Sequence, residues 1–363
     1  MDVNKLVNLF LDTAKIDSLS GSEKPIAEHV KTFLHKYNYD PSEDNSKKNT
    51  NSNTGNLICT IGNGGDFVLT AHMDTARSTA NLKPIVQEDR IVSSGDTVLG
   101  VDNRAGVATL LFMLEKIASE KIAVKDFTVA FTTCEETTLF GSKYLELDDK
   151  INYGFVFDSG YRPGNFINSA CGALGFKIKV LGKASHSGIA PEKGINSLQI
   201  ASRAISNLPL GRIDDESTMN IGILNCGSAV NVIPEIAELD GEIRSFDVKK
   251  VQKYFDVTLE IFNKEAEAIG GKIEVDSFWD FKPFTVPESS FAYRKIVKVL
   301  EKVGLKPTPR ISLGGSDANS LNEKGIESIN LGIGAQNPHS NDEFIFIEDL
   351  VKSADIALEL VKK

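Results

Sequence analysis

Cysteine is scarce in this chain of 363 residues. There are four, Cys59, Cys134, Cys171 and Cys226, far apart and without a C-x-x-C pair. They offer no disulfide framework and read as buried free thiols in a reducing compartment. A surplus of positive charge is also missing. Against 40 Lys and Arg stand 50 Asp and Glu, for a net charge of −10. That argues against a nucleic-acid partner, which requires a basic face, and gives no support for attraction to anionic lipid. No apolar run approaches a membrane span. The first sixteen residues, with Leu6, Phe10, Leu11 and Ala14 among Asp and Lys, read as an amphipathic helix rather than a signal peptide, and the expected location is cytoplasmic. No G-x-S-x-G elbow occurs and no cysteine sits in a catalytic signature, so nucleophilic catalysis finds little support. There is no internal repeat.

What is present is a full-sized core, 41% hydrophobic and 25% charged, long enough for two domains. Helical periodicity covers much of residues 1–38. The stretch 40–56 is polar and reads as an exposed loop. Short apolar or β-branched runs then end abruptly in polar residues: Phe67–Ala71 before His72, Phe127–Thr133 before Cys134-Glu135-Glu136, and Tyr153–Phe157 before Asp158. Such runs are expected of buried strands in an α/β sheet. A helix follows Asp102, with Val107, Leu110, Leu111, Leu114 and Ile117 on one face. From about 172 to 280 the pattern changes to half-exposed alternating strands and two helices in the order β-α-β-β-α-β, a ferredoxin-like unit with one antiparallel sheet and both helices on one face. Residues 1–171 and 281–363 are therefore expected to form one discontinuous α/β domain, and 172–280 an inserted one.

His72, Asp102, Glu135, Glu136, Asp158 and His339 all fall at strand ends or in the loops that follow. In open α/β sheets the carboxyl ends of the strands are where ligands bind. Two histidines and several carboxylates make a mixed N/O donor set suited to Zn²⁺, or to Mn²⁺ or Co²⁺. The adjacent pair Glu135-Glu136 at the end of a buried strand is costly unless a cation or a shared proton relieves it. Each has a plainer alternative: a helix N-cap for Asp102, two solvated carboxylates at a helix start for the pair.

Five stretches together resemble the M20 family of di-zinc metallopeptidases, most closely its peptidase T-like branch. They are Thr70-Ala71-His72-Met73-Asp74, Gly100 to Gly106, Glu135 to Gly141, Ala184-Ser185-His186-Ser187-Gly188 and Pro338-His339-Ser340. The resemblance spans nearly the whole chain. It implies a zinc-exopeptidase-type mixed sheet flanked by helices, with an inserted ferredoxin-like α+β lid and dimerisation domain. It also implies two divalent cations, a short peptide substrate and a homodimer.

Residue by residue, the resemblance implies that Asp102 bridges two cations, that His72 and Asp158 complete one, and that Glu136 and His339 complete the other. Asp74 would hold His72 through its ring N–H, and Glu135 would act as general base. The Asp102–Asn103 bond is expected to be cis. His186 would assist the oxyanion, often from the partner subunit; the alternative is a polar loop histidine. Asn231 and Arg244 match substrate-holding positions, although Arg244 can equally pair with Glu242 or Asp247. Gly314, Gly315, Ser316 and Asp317 match the substrate loop, or form a turn and helix cap. Thr137 and Thr138 depart from the family, where many relatives carry an Ile-Gly pair. The implied activity is release of the N-terminal residue from short peptides. A carboxypeptidase or N-acyl amino-acid amidohydrolase would use the same ligands, and a non-catalytic peptide-binding scaffold is a remoter alternative.

Overall fold

The computed structural model describes residues 2–363. It divides into two compact units, Ala170–Phe284 and the chain on either side of it. The first unit is built on a nine-stranded sheet. Its four central strands, in the order Phe127–Thr132, Phe67–His72, Tyr153–Ser159 and Glu327–Gly332, run parallel. The first two are buried along their whole length. That explains why they read as unbroken apolar runs, since a parallel strand covered on both faces has no solvent side. Antiparallel strands flank the four, Leu57–Ile61 on one side and Asn165–Ala170 on the other. The parallel arrangement brings four carboxyl ends to one edge, and each leads into a residue singled out above.

The helix Val101–Glu120 crosses this sheet and is buried on nearly every side. Its close seat depends on Gly106, where a Cβ would lie 2.3 Å from the Phe157 carbonyl oxygen and 3.0 Å from the Ala71 Cβ. The helix start is irregular: the Asp102–Asn103 bond is cis. Among the described residues no helix is long and apolar enough to cross a membrane.

Two stretches differ from expectation. Residues 40–56 are not a plain exposed loop. Ser42–Glu43 pairs with the strand Leu57–Ile61, and Asp44, Ser46 and Asn56 are buried. They are buried because they satisfy one another: the Asp44 carboxylate accepts from Ser46 N–H at 3.0 Å, Asn56 N–H at 3.0 Å and Asn56 Nδ2 at 2.8 Å. The segment 75–100, whose sequence reads as irregular, contributes Pro84–Val86 and Arg90–Ser93 to a small sheet completed by Phe344–Phe346.

The second unit is a five-stranded antiparallel sheet in the order Gly211–Asp214, Ser217–Cys226, Ile236–Ser245, Gly172–Leu181, Lys272–Phe281. The helices Ser197–Ser206 and Val248–Ile269 cover one face, with Phe176, Ile178, Val180, Leu239, Phe255 and Phe262 in the core between. Alternate residues face outward, and the register sets Lys177 opposite Asp240 and Lys179 opposite Glu238, pairs that meet at 3.2 and 3.1 Å. The short strand Gly211–Asp214 is an addition to the expected β-α-β-β-α-β order.

Candidate metal centre

His72 is the last residue of its strand and is 1% exposed. Its register sets it opposite Thr132, the last residue of the strand that leads to Glu135 and Glu136. On its other side the neighbouring strand carries Asp158. His72 Nε2 lies 3.0 Å from Asp102 Oδ1 and 3.1 Å from Asp158 Oδ1. The other oxygen of the same aspartate, Asp102 Oδ2, lies 3.3 Å from His339 Nε2. His339 Nε2 is also 3.1 Å from Glu136 Oε1. One carboxylate thus divides its two oxygens between two histidines, and each histidine has a second carboxylate beside it.

These separations fit donors aimed at a common third atom. Two ligands of one tetrahedral zinc, each about 2.0–2.2 Å from it, stand roughly 3.3 Å apart. Glu136 Oε1 is buried and, among the described residues, receives no hydrogen bond although His339 Nε2 is close. The two groups are near without being aligned on each other, as co-ligands are. His72, Asp102 and Glu136 form one convergent donor set, and His72, Glu135 and Asp158 another. Within the second, Glu135 Oε2 stands farther back, 4.0 Å from His72 Nε2.

The electrostatics call for cations. Burial, and then Asp158, push the Glu135 carboxyl well above the usual range. Burial, and then Asp102, raise Asp158, and burial likewise raises Glu136. Asp102 goes the other way: hydrogen bonds to His339 and His72 outweigh burial and hold it below the usual carboxylate range. His339 rises to about 10 beside Asp102 and Glu136. For His72, burial works against the charged form, but Glu135, Asp102 and Asp158 together win and raise it well above normal. Four carboxylates crowded together and largely shielded from solvent repel one another, and a divalent pair would neutralise them.

Asp74 is fully buried. His72 Nδ1 is 3.1 Å from its backbone carbonyl and 3.3 Å from its Oδ1. The same carboxylate accepts from the backbone N–H of Glu135 and of Glu136, both at 3.1 Å, and from the Ser20 hydroxyl at 2.6 Å. Asp74 therefore positions both halves of the site, the imidazole and the double glutamate.

Several positioning residues were not singled out from sequence. Glu343 accepts from Gly100 N–H at 2.6 Å and Asp102 N–H at 3.1 Å, tying the bend at Asp102 to the loop that carries His339. Glu23 accepts from Cys134 N–H at 2.9 Å, and Asn56 accepts from Thr133 N–H at 3.0 Å, so the turn into Glu135 is anchored from two sides. The Arg104 guanidinium is wholly buried and donates to Thr13, Met73 and Ile16 carbonyls and the Ser18 hydroxyl. The one local signal is an arginine at the start of a helix whose following residues are small and apolar.

Non-glycine residues at positive φ flank the double glutamate: Cys134 at 49° just before it, and Thr138 at 73° and Leu139 at 62° in the turn that follows. For a β-branched residue this is an unfavourable region. Thr138→Gly is therefore expected to be at least as stable as the parent chain, by up to about 1 kcal/mol in urea unfolding. A destabilised variant would show that the threonine side chain earns its place through contacts.

The remaining predicted residues are distributed as follows. Asp317 is buried and accepts from the Thr132 hydroxyl, with burial raising it to about 6. Ser316 is buried and its N–H donates to Asn319 Oδ1 at 3.0 Å, closing the start of the helix Asp317–Glu323. Gly314 is exposed and Gly315 half-buried. In the second unit, His186 is exposed and its loop runs beside that of Asn231: Ser187 N–H donates to the Asn231 carbonyl at 3.0 Å. Arg244 grips Glu242 in bidentate fashion, at 3.1 and 3.0 Å. Asn231 lies just before the strand Ile236–Ser245, His186 is bridged to the adjoining Val232, and Arg244 is next to the strand's last residue. At about 3.3 Å per residue the two ends are roughly 26 Å apart, so this unit does not gather them into one place.

Comparison with known proteins agrees with this geometry. The peptidase dimerisation domain matches residues 168–269, and peptidase family M28 matches residues 56–183, the stretch with five of the six clustered side chains. A tripeptidase from Staphylococcus aureus is 31% identical with a TM-score of 0.93, over 100% of this chain and 98% of that one. Aminopeptidase PepT from Bacillus cereus is 30% identical with a TM-score of 0.89, over 99% and 98%. The chain belongs to the M20 family of metallopeptidases. The M20 peptidase lies on the peptidase T-like branch, and its sequence is also 31% identical to the uncharacterized Bacillus subtilis protein YqjE, over 99% of this chain and 98% of that one. As an M20 metallopeptidase it is a hydrolase of peptide bonds.

Proposed function

We propose that this M20 peptidase is a di-metal aminopeptidase that releases the N-terminal residue of short peptides, tripeptides among them. The observation that carries the reading is the division of Asp102 between His72 and His339. The relatives named a tripeptidase and an aminopeptidase supply the direction of attack and the substrate length. His72, Asp102 and Asp158 would hold one cation, and Asp102, Glu136 and His339 the other, with zinc first and manganese or cobalt as alternatives. Bound there, the pair would supply Lewis-acid polarisation of a carbonyl and a more acidic water.

The chain's own groups do the rest. Glu135 Oε2 stands 4.0 Å from His72 Nε2, set back from the ligand positions, where it would take a proton from that water and return it to the leaving amine. Asp74 fixes the His72 ring and the backbone of both glutamates, so the base and the ligands keep a constant spacing. His186 supplies a donor to the oxyanion. Since Arg244 and His186 sit at opposite ends of one strand, both can serve one reaction when they come from different copies of the chain. The strand Ser217–Cys226 is paired by Gly211–Asp214 only along residues 217–219. Its remaining edge is open, with Ile223 53% and Leu224 42% exposed, and we assign it to a homodimer contact. A fully active monomer would contradict that assignment. With all four cysteines free, we place the enzyme in the cytoplasm.

The test is release of amino acids from tripeptides, free and N-acetylated. Loss of the N-terminal residue from the free peptides, blocked by acetylation, is expected. Cleavage confined to the acetylated set would replace the aminopeptidase by an amidohydrolase.

A further inference from the structure

At the opposite end of the central strands lies a second cleft, of about 570 Å³, bounded by the helix Phe291–Lys302 and the end of the helix Ile347–Val361. That is the size of a small-molecule site. In a chain of net charge −10, seven of its 40 lysines and arginines line this one cleft, against a single side-chain carboxylate, Glu359. Glu359 is already engaged by Lys302 and Lys362. Arg294, Lys298 and Lys302 recur every four residues along one helix face, about 6 Å apart in rise. Like charges at this spacing destabilise a helix by a few tenths of a kcal/mol per pair. Neither Arg294 nor Lys298 has an ion pair among the described residues.

Lys295 reaches further in. Its Nζ lies 4.2 Å from the centroid of the Phe67 ring and 5.2 Å from that of Tyr153, and donates to the Tyr153 hydroxyl at 3.2 Å. Burial, and then repulsion from Lys125, lower it to about 8. Its ammonium rests on aromatic faces, with no carboxylate in contact. At the rim stands Phe291, 57% exposed and in edge contact with Tyr153 at 4.9 Å. Phe67 begins the strand that His72 ends, so the cleft and the metal centre are separated by roughly 17 Å along it.

We propose that this cleft binds an oligophosphate, either free or carried by a nucleoside. A row of cations about 12 Å long suits a linear anion of several charges better than a single carboxylate. Arg294 offers a planar fork for phosphate oxygens, and the lysines act as point charges. The exposed ring of Phe291 offers a stacking face to a base. The proposal stands apart from the peptidase reading and shares no residue with it.

The test is calorimetric titration of the full chain with tripolyphosphate and with a nucleoside triphosphate. Chelator treatment beforehand removes any cation that would itself bind phosphate, and circular dichroism confirms the fold. One site per chain with Kd below about 100 μM is expected, weakened about tenfold or more in R294A/K298A, where both positions are exposed and alanine favours the helix. No binding, or binding unchanged in that variant, would overturn the site. Tighter binding of the nucleoside triphosphate that Phe291→Ala abolishes assigns the nucleoside form. Equal binding of both probes assigns the free oligophosphate.

Discussion

Replacing Glu135 by glutamine abolishes peptide hydrolysis, by about 10²–10⁴-fold in kcat, and leaves the bound metal in place. The expectation follows from where the carboxylate stands. Its oxygen is 4.0 Å from His72 Nε2, whereas Asp102 and Asp158 are at 3.0 and 3.1 Å. On the proposed reading the nearer pair would take the ligand positions and leave Glu135 to face the reacting water. Glutamine keeps the shape and the backbone N–H bond to Asp74 but cannot accept and return a proton. Metal content by atomic absorption separates the two roles Glu135 could play. A variant that loses both metal and rate would make Glu135 a ligand. One that keeps the full rate would remove it from the chemistry.

The second large effect is at Asp102. Since each of its oxygens faces a different histidine, alanine there removes a donor from both halves of the centre. Asp102→Ala is expected to lose both cations of the proposed centre, and its activity should fall below detection at metal concentrations that saturate the parent. Asp158→Ala touches only the His72 half and is expected to keep the cation beside Glu136 and His339. Metal titration followed calorimetrically distinguishes one lost site from two. Equal losses in the two variants would contradict the shared role of Asp102.

How far the molecule is readable from its sequence differs from one part to the next. The parallel strands are legible because burial on both faces leaves nothing but apolar residues up to a polar end. His72, Glu135, Glu136 and Asp158 were found by that change of character. The inserted sheet is legible because one face is solvated, so its strands alternate. The supports of the site were not visible in the same way. Asn56 lies at the end of a stretch rich in Asn, Ser and Lys, and hydropathy cannot register that Asp44 and Ser46 satisfy it. Glu23 and Glu343 act on backbone N–H groups of Cys134, Gly100 and Asp102, more than 100 residues away in each case. Such partners have no side-chain signature. For Arg244, the sequence offered a carboxylate substrate or Glu242 with equal force, and the structure pairs it with Glu242.

On the proposed mechanism, hydrolysis depends on two cations gathered by Asp102. This dependence is tested most directly by stripping the protein with chelator and restoring Zn²⁺, Mn²⁺ or Co²⁺ in measured equivalents while following tripeptide cleavage. The stripped protein is expected to be inactive, with recovery complete at about two equivalents per chain. Undiminished cleavage by protein shown to be free of metal would contradict the proposed mechanism.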